Sequence, residues 1–257
     1  MRMKNKFLLF LMLGITLFAA CNDDDEPDVI PTVADVIGTY SGDSLQATVD
    51  DAVVGETASV QILQNSDNST SLLLVNVVPG YSSLEIPNVT YEAVSRSSYY
   101  SQLSGQYSDN IMGLNVQASA TVDESVMTLT VTTSDIAGTP VNAEYFYDKT
   151  FRGEMGISLM GTSVTMDQRV YLLAPTSGEA TDIRLRIENF SFGDLSLGNI
   201  ELDSVQFVQR GDVYGFTVKD KKMDLPALSA LHVTDVTLDA RGAILENKTL
   251  RLILAVD

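Results

Sequence analysis

The sequence predicts an all-β chain made of two tandem antiparallel β-barrel-like units. Three observations lead there. Apolar and polar residues alternate in run after run, the period-2 signature of strands with one buried face. No segment sustains an i, i+3, i+4 pattern; the nearest, Leu225, Leu228 and Leu231 around Pro226, would give a turn or two. The second half also repeats features of the first at a shift near 111 residues.

The chain opens on an export signal. Arg2, Lys4 and Lys6 make a basic start, and Phe7 to Phe18 is an apolar run broken only by Gly14 and Thr16. That run falls short of the roughly twenty residues that span a bilayer, so it reads as a signal segment and not a permanent anchor. Leu17-Phe18-Ala19-Ala20-Cys21 is similar to a bacterial lipobox, whose thiol is acylated (palmitate is one such acyl group) and becomes the new N-terminus. Residues 1–20 are therefore expected to be removed and Cys21 to carry the lipid. Cys21 is the only cysteine, and acylation accounts for a lone thiol in an exported chain. Two or three acyl chains hold a protein on a membrane far more firmly than one.

Residues 21–35 follow as an acidic tether. Asn22-Asp23-Asp24-Asp25-Glu26 has no apolar surface to bury and its charges repel, which favours an extended, solvated segment. The run resembles the acidic export signal of Bacteroidetes lipoproteins bound for the outer leaflet of the outer membrane, and so implies exposure at the cell surface; the alternative is a spacer facing the periplasm.

After cleavage, 13 basic and 34 acidic residues leave a formal charge of −21. Such a chain repels phosphate, which excludes nucleic acid and anionic membrane surfaces as partners. With no tryptophan and no second cysteine, disulfides and thiolate metal sites are excluded too.

The first unit is expected at residues 36–134 and the second at 148–257, with residues 134–147 joining them. Leu45, Ala47 and Val49 alternate with polar residues, as do Val116, Ala118, Ala120 and Val122, then Met127, Leu129 and Val131. Ile183, Leu185 and Ile187, and Leu250, Leu252, Leu254 and Val256, do the same in the second half. Turn-rich clusters such as Asn65-Ser66-Asp67-Asn68, Pro79-Gly80 and Arg210-Gly211-Asp212 separate the runs. Thr39-Tyr40-Ser41-Gly42-Asp43 aligns with Thr150-Phe151-Arg152-Gly153-Glu154, and Val89 to Val94 with Ile200 to Val205, both at a shift of 111. Leu74-Val75-Asn76 and Gly80 align with Ile187-Glu188-Asn189 and Gly193 at 113. Leu114-Asn115-Val116 aligns with Leu231-His232-Val233, and Met127 to Val131 with Leu250 to Leu254. Each unit would hold roughly eight short strands, and closing the sheet removes its exposed edges. Paired β-sandwiches, or one elongated pseudo-symmetric lipid-binding β-fold, are the alternatives.

Ile37-Gly38-Thr39-Tyr40-Ser41-Gly42, Ile187-Glu188-Asn189-Phe190-Ser191-Phe192-Gly193 with Leu197-Gly198-Asn199-Ile200, and Leu250-Arg251-Leu252-Ile253-Leu254-Ala255-Val256 resemble the calycin-like lipoproteins of Bacteroidetes. The resemblance implies lipocalin-related antiparallel β-barrels and supplies no catalytic residues. The lipocalin Gly-x-Trp signature is absent, and Tyr40 and Phe151 stand where an aromatic plugs a barrel floor.

Chemistry-bearing residues are sparse. His232 is the only histidine, which rules out multi-histidine metal sites, and no nucleophile elbow, zinc-protease helix or phosphate loop is present. The neighbours in Asp50-Asp51 and Asp123-Glu124 point apart in strands or turns. Asn65, Asp67 and Asn68 read as a hairpin turn. Methionines 112, 127, 155, 160, 166 and 223 fill core space or line an adaptable pocket. Tyr99, Tyr100 and Tyr107, among Ser95, Ser97, Ser98, Ser101, Gln102, Ser104 and Gln106, are candidate ligand-binding residues, because tyrosine with small hydroxyl and amide groups stacks on and hydrogen-bonds sugars. No catalytic, metal or cofactor site is expected. The leading expectation is a non-enzymatic surface lipoprotein, held on the membrane through Cys21, that binds a small apolar or amphipathic ligand. A glycan-binding or adhesive module and a structural display scaffold are the alternatives.

Overall fold

The computed structural model describes residues 30–95, 99–159, 161–223, 236–245 and 249–256. The signal segment, Cys21, most of the acidic tether, His232 and the Leu225–Leu231 segment lie outside them. The architecture is all-β, as the alternation requires.

Where the tether meets the first unit the chain is pinned. Thr32 and Asp35 form a capping box around the single helical turn α1 (Val33–Val36), Tyr91 Oη donates to Pro31 O at 2.7 Å, and Tyr40 Oη donates to Val36 O at 2.8 Å. Residues 30–36 of the expected tether region are thus held against the first unit, because the hydroxyls of the buried Tyr40 and the half-buried Tyr91 need acceptors and find carbonyls here.

Ten strands build the first unit: β1 (Gly38–Ser41), β2 (Leu45–Val49), β3 (Ala52–Val53), β4 (Ser59–Gln64), β5 (Thr70–Val75), β6 (Ser83–Ile86), β7 (Thr90–Ser95), β8 (Tyr99–Asp109), β9 (Leu114–Asp123) and β10 (Val126–Asp135). They form two sheets, ordered β1-β4-β5-β6 and β3-β2-β10-β9-β8-β7. A 3₁₀ turn at Gly42–Ser44 carries the chain from β1 to β2, and Pro87 to Val89 carry it from β6 to β7. Two bent strands therefore hand the wall from one sheet to the other around a single core, in which Val60, Ile62, Leu72 and Leu74 meet Leu103, Val116 and Leu129. The result is a flattened barrel, part way towards the sandwich alternative.

The second unit closes more completely. Strands β11 (Thr139–Pro140), β12 (Lys149–Leu159), β13 (Thr162–Leu173), β14 (Asp182–Phe192), β15 (Leu195–Gln206), β16 (Val208–Arg210), β17 (Val213–Met223), β18 (Val236–Ile244) and β19 (Leu250–Val256) make one nine-stranded sheet. Only Phe207 separates β15, at one end of the order, from β16, near the other, so the sheet nearly meets itself. The segment expected as a connector contributes: Thr139 and Pro140 pair with Gln209 and Val208.

One feature departs from a wholly antiparallel wall. Each unit closes on a parallel pair, β2 with β10 and β12 with β19. Among the described residues, counting each bent strand once and setting aside the two-residue edge strands β3 and β11, seven strands encircle each core, and an odd number of up-and-down strands must bring first and last together in the same direction.

Pairing tests the alignment of the halves. Tyr40 pairs with Val60 and Val60 with Leu74; Phe151 pairs with Val170 and Val170 with Ile187. Asn76 and Asn189 follow with φ of 53° and 50°, a left-handed conformation asparagine tolerates well. Beyond that turn the alignment slips: Ile200 pairs with Ile187, but the partner of Leu74 is Leu84, not Val89. Apolar alternation alone does not fix this alignment, because the bend at Pro87 to Val89 switches the inward positions from Leu84 and Ile86 to Val89 and Tyr91, an odd step that alternation within one strand does not reveal.

The methionines serve packing. Met127 and Met155 are fully buried in the two cores, Met166 and Met223 pack against the second, and Met112 is buried with Ala243 and Ile253 where the units meet; Met160 lies outside the described residues. At that junction Arg241 donates to Gly113 O at 2.8 Å and to Met112 O at 3.4 Å, and pairs with Asp135 at 2.8 Å. Lys219 reaches Asp135 at 3.1 Å. Gly80 lies where any Cβ would overlap Ile253, and a Cβ on Gly156 would overlap the carbonyl of Gly80, so both glycines let the two backbones touch.

Candidate functional site

The predicted tyrosine site does not assemble as one surface. Along β8, Ser101, Leu103 and Asp109 are buried while Ser104, Gln106 and Ser108 are exposed, so odd and even positions take opposite faces. Tyr107 packs inward against the first core, and burial together with the nearby Asp109 raises its pKa. Tyr100 is on the outward side of the same strand. The backbone of Tyr99 pairs with Ser95, and its side chain is outside the described set. Period-2 geometry separates what a polar, tyrosine-rich composition grouped together.

The acidic pairs are turn residues. Asp50 and Asp51 have φ of 48° and 69°, and the Asp50 carboxylate accepts bonds from Thr133 N and Oγ1 at 2.8 and 2.6 Å, tying the β2–β3 turn to β10. Asp123 ends β9, and Glu124 turns the chain at φ 52°. In the β4–β5 hairpin, Asp67 accepts from Ser69 Oγ and N at 2.6 and 3.0 Å, and these bonds lower its pKa. Among the described residues no group of three or more His, Cys, Asp or Glu is placed to hold a metal.

A different cluster forms at the mouth of the second barrel. Asn142 Oδ1 accepts from Glu144 N at 2.9 Å, starting a 3₁₀ turn at Glu144–Phe146. That turn drives Phe146 into the barrel end, with its ring centroid 4.7 Å from Phe207 and 5.4 Å from Tyr214. Phe207 is fixed by its own backbone, which receives Val141 N at 3.1 Å and donates to Thr181 O at 2.7 Å. Tyr145, 72% exposed, stands edge-on to Phe146 with centroids 5.2 Å apart, and Lys149 Nζ lies 4.5 Å over its ring.

Tyr145, Phe146 and Tyr214, with Val141, Ile244 and Leu245, enclose a pocket of about 390 Å³ whose polar groups come from Asn142, Gln209 and Asp212. An apolar, aromatic wall with a few convergent polar groups is the usual make-up of a small-molecule site. Below it the lumen is filled: Met155, Phe190, Phe207, Phe216 and Leu254 are all fully buried. A ligand would therefore rest on the Phe146 plug and not inside the barrel. The sequence reading missed this site because it treated residues 134–147 as a connector, although Tyr145-Phe146-Tyr147 was an available signal. A second, wider groove of about 910 Å³ flanks β2 in the first unit, with Leu45, Val53, Val54 and Ala58 along it. It lacks aromatic residues, and its Val53 is 83% exposed.

Residues 147–257 match a family model described as a calycin-like β-barrel domain. The match takes in β12 to β19, less than half of the chain, and begins just after the Glu144–Phe146 turn. No curated protein and no solved structure matches this sequence.

Proposed function

We propose that this chain is a non-enzymatic binding lipoprotein, made of two copies of one β-unit, that takes a small amphipathic ligand at the aromatic mouth of its second barrel. The observation that carries the reading is the 390 Å³ pocket over Phe146, formed where Val141 to Phe146 cap the barrel that matches the calycin-like family model from residue 147 on; proteins of that fold commonly bind small ligands. The ligand's apolar part would rest on Tyr145, Tyr214 and Ile244, with Asn142, Gln209 and Asp212 at the rim for its polar part. Shared strand order and shared parallel closure support duplication. The lipobox-like Leu17 to Cys21 and the acidic run after it support an acyl anchor on Cys21 and display on the outer face of the outer membrane.

Two measurements test this. Full-length chain is exposed to total lipid extract of the producing cell, repurified and analysed by native mass spectrometry. A bound species that falls at least tenfold in a Tyr145→Ala/Tyr214→Ala variant supports the site; no bound species, or the same amount on the variant, refutes it. Metabolic labelling with an alkyne fatty acid should mark the chain and fail to mark Cys21→Ala; equal labelling of both removes the anchor.

A further inference from the structure

The outer face of the larger sheet in the first unit carries an ordered array of uncharged hydrogen-bonding groups. Pairing places Thr48 beside Thr130, Thr130 beside Ser119, Ser119 beside Ser104 and Ser104 beside Thr90. Five hydroxyl side chains thus cross five strands in one row, about 4.8 Å apart. The adjacent row is Thr132, Gln117 and Gln106; on the other side lie Thr128, Thr121 and Gln102, a row that ends on the exposed Glu92 at the sheet edge, outside the groove lining. The bend at Pro87 and Asn88 raises one wall beside this array, bounding an open groove of about 710 Å³ in which no lining residue is charged.

Charge makes this face unusual for the molecule. The chain has a formal charge of −18, and the β14–β15 outer face of the second barrel carries Arg184, Arg186, Glu188 and Glu201 in ion pairs. A cationic ligand would favour the acidic surface elsewhere, and an anionic one is repelled by the whole field. A protein partner usually needs apolar or arginine anchors at the centre of its patch, and the groove lining supplies neither. What remains is a partner that is itself neutral, extended and dense in hydroxyls.

We propose that this face binds a neutral polysaccharide lying along the Thr48–Thr90 row. Serine and threonine hydroxyls both donate and accept, and the glutamine amides offer both groups, so the array complements sugar hydroxyls in either orientation. Each bond replaces one made to water and so contributes little net; single-site affinity is therefore weak, and many copies anchored on one surface bind through avidity. The site lies in the other barrel from the aromatic pocket and stands or falls independently of it.

Affinity electrophoresis of the detergent-solubilised full chain tests the assignment, in native gels containing neutral α-glucan, β-glucan, mannan or xylan, with polygalacturonate as the anionic control. Retardation is expected in at least one neutral gel and not in polygalacturonate. Ser119→Glu combined with Thr130→Lys puts opposite charges side by side at the centre of the face, which preserves pairing while blocking the groove. It should weaken retardation at least tenfold with an unchanged Tm, whereas Asp203→Asn, exposed on the second barrel, should change nothing. The proposal is overturned by no retardation in any neutral gel, by equal retardation in polygalacturonate, or by retardation that survives the face variant.

Discussion

In the first barrel the buried side chains are almost entirely aliphatic, with Tyr40 the one aromatic among them, and the β8–β10 outer face is hydroxyl and amide. In the second, Phe146, Phe151, Phe190, Phe207 and Phe216 are buried, and the β14–β15 outer face is laced with arginine and glutamate. Strand order and parallel closure nevertheless agree. The pairing pattern therefore tolerates two different cores and two different surfaces, provided that inward positions stay apolar and facing volumes match. One matched set shows how. Leu103 pairs with Ala120, and Ala120 with Leu129; at the equivalent place Phe216 pairs with Gly242, and Gly242 with Leu252. The larger ring stands opposite the smaller neighbour. A Cβ on Gly242 would come 2.6 Å from Phe216 Cζ.

That exchange supplies the largest predicted effect. Phe216→Ala should cost about 3–5 kcal/mol through lost contact and a cavity, against about 2–5 kcal/mol for Leu103→Ala in the first barrel. Gly242→Ala alone should cost about 1–3 kcal/mol by overpacking. Adding Phe216→Leu, which installs the first barrel's pair in the second, should recover most of the Gly242→Ala loss. Urea denaturation of the four variants checks the set, and additive losses in the double variant would show that the two positions do not compensate.

Much of this was legible in the sequence, for identifiable reasons. Alternation at Val116 to Val122 and Leu250 to Val256 reports one buried face directly. The Tyr40/Phe151 and Asn76/Asn189 correspondences were legible because an aromatic and an asparagine in a turn are rarer marks than an apolar residue. The Val89/Ile200 alignment failed where only apolar spacing guided it. The parallel seams were hidden because alternation reports which face is buried, not which strand lies alongside. The aromatic pocket was hidden because Tyr145 and Tyr214 lie 69 positions apart and meet only when the barrel closes. The charge-free groove needed register: no local window shows that Thr48, Thr130 and Thr90 share a row.

The junction between the barrels gives the next effect. Arg241, with its side chain 12% exposed, joins Lys219 and the Met112 cluster in holding the second barrel to the first, and Arg241→Ala leaves the Met112 and Gly113 carbonyls and Asp135 without that donor. A loss of about 2 kcal/mol is expected, with one unfolding transition separating into two as the barrels uncouple. Burial pushes the Asp135 carboxyl up, but hydrogen bonds and charge from Lys219 and Arg241 outweigh it and hold the pKa below the usual value. The group is therefore more acidic folded than unfolded, so its contribution is present above about pH 4 and disappears as pH falls through the lower folded value. Asp135→Asn should flatten the acid limb of the stability curve below pH 4. Differential scanning calorimetry across pH reads both effects, and an unchanged acid limb would remove Asp135 from the coupling.

The smallest effect separates the two outer faces. Arg186 lies 3.0 Å from Glu188 and 4.0 Å from Glu201, and Arg184 lies 3.3 Å from Glu201. These side chains are 31–39% exposed, so solvent screens them and each pair contributes at most about 1 kcal/mol. Arg186→Gln should cost less than about 1 kcal/mol at low salt, and the difference from the parent should vanish near 1 M, where the screening length shrinks to about 3 Å. Gln117→Ala, on the hydroxyl and amide face of the first barrel, removes no charge and should show no such dependence. Guanidinium supplies its own salt, so urea is the denaturant of choice for this comparison. A salt-dependent loss in Gln117→Ala equal to that in Arg186→Gln would mean that the two surfaces differ in composition but not in electrostatic character.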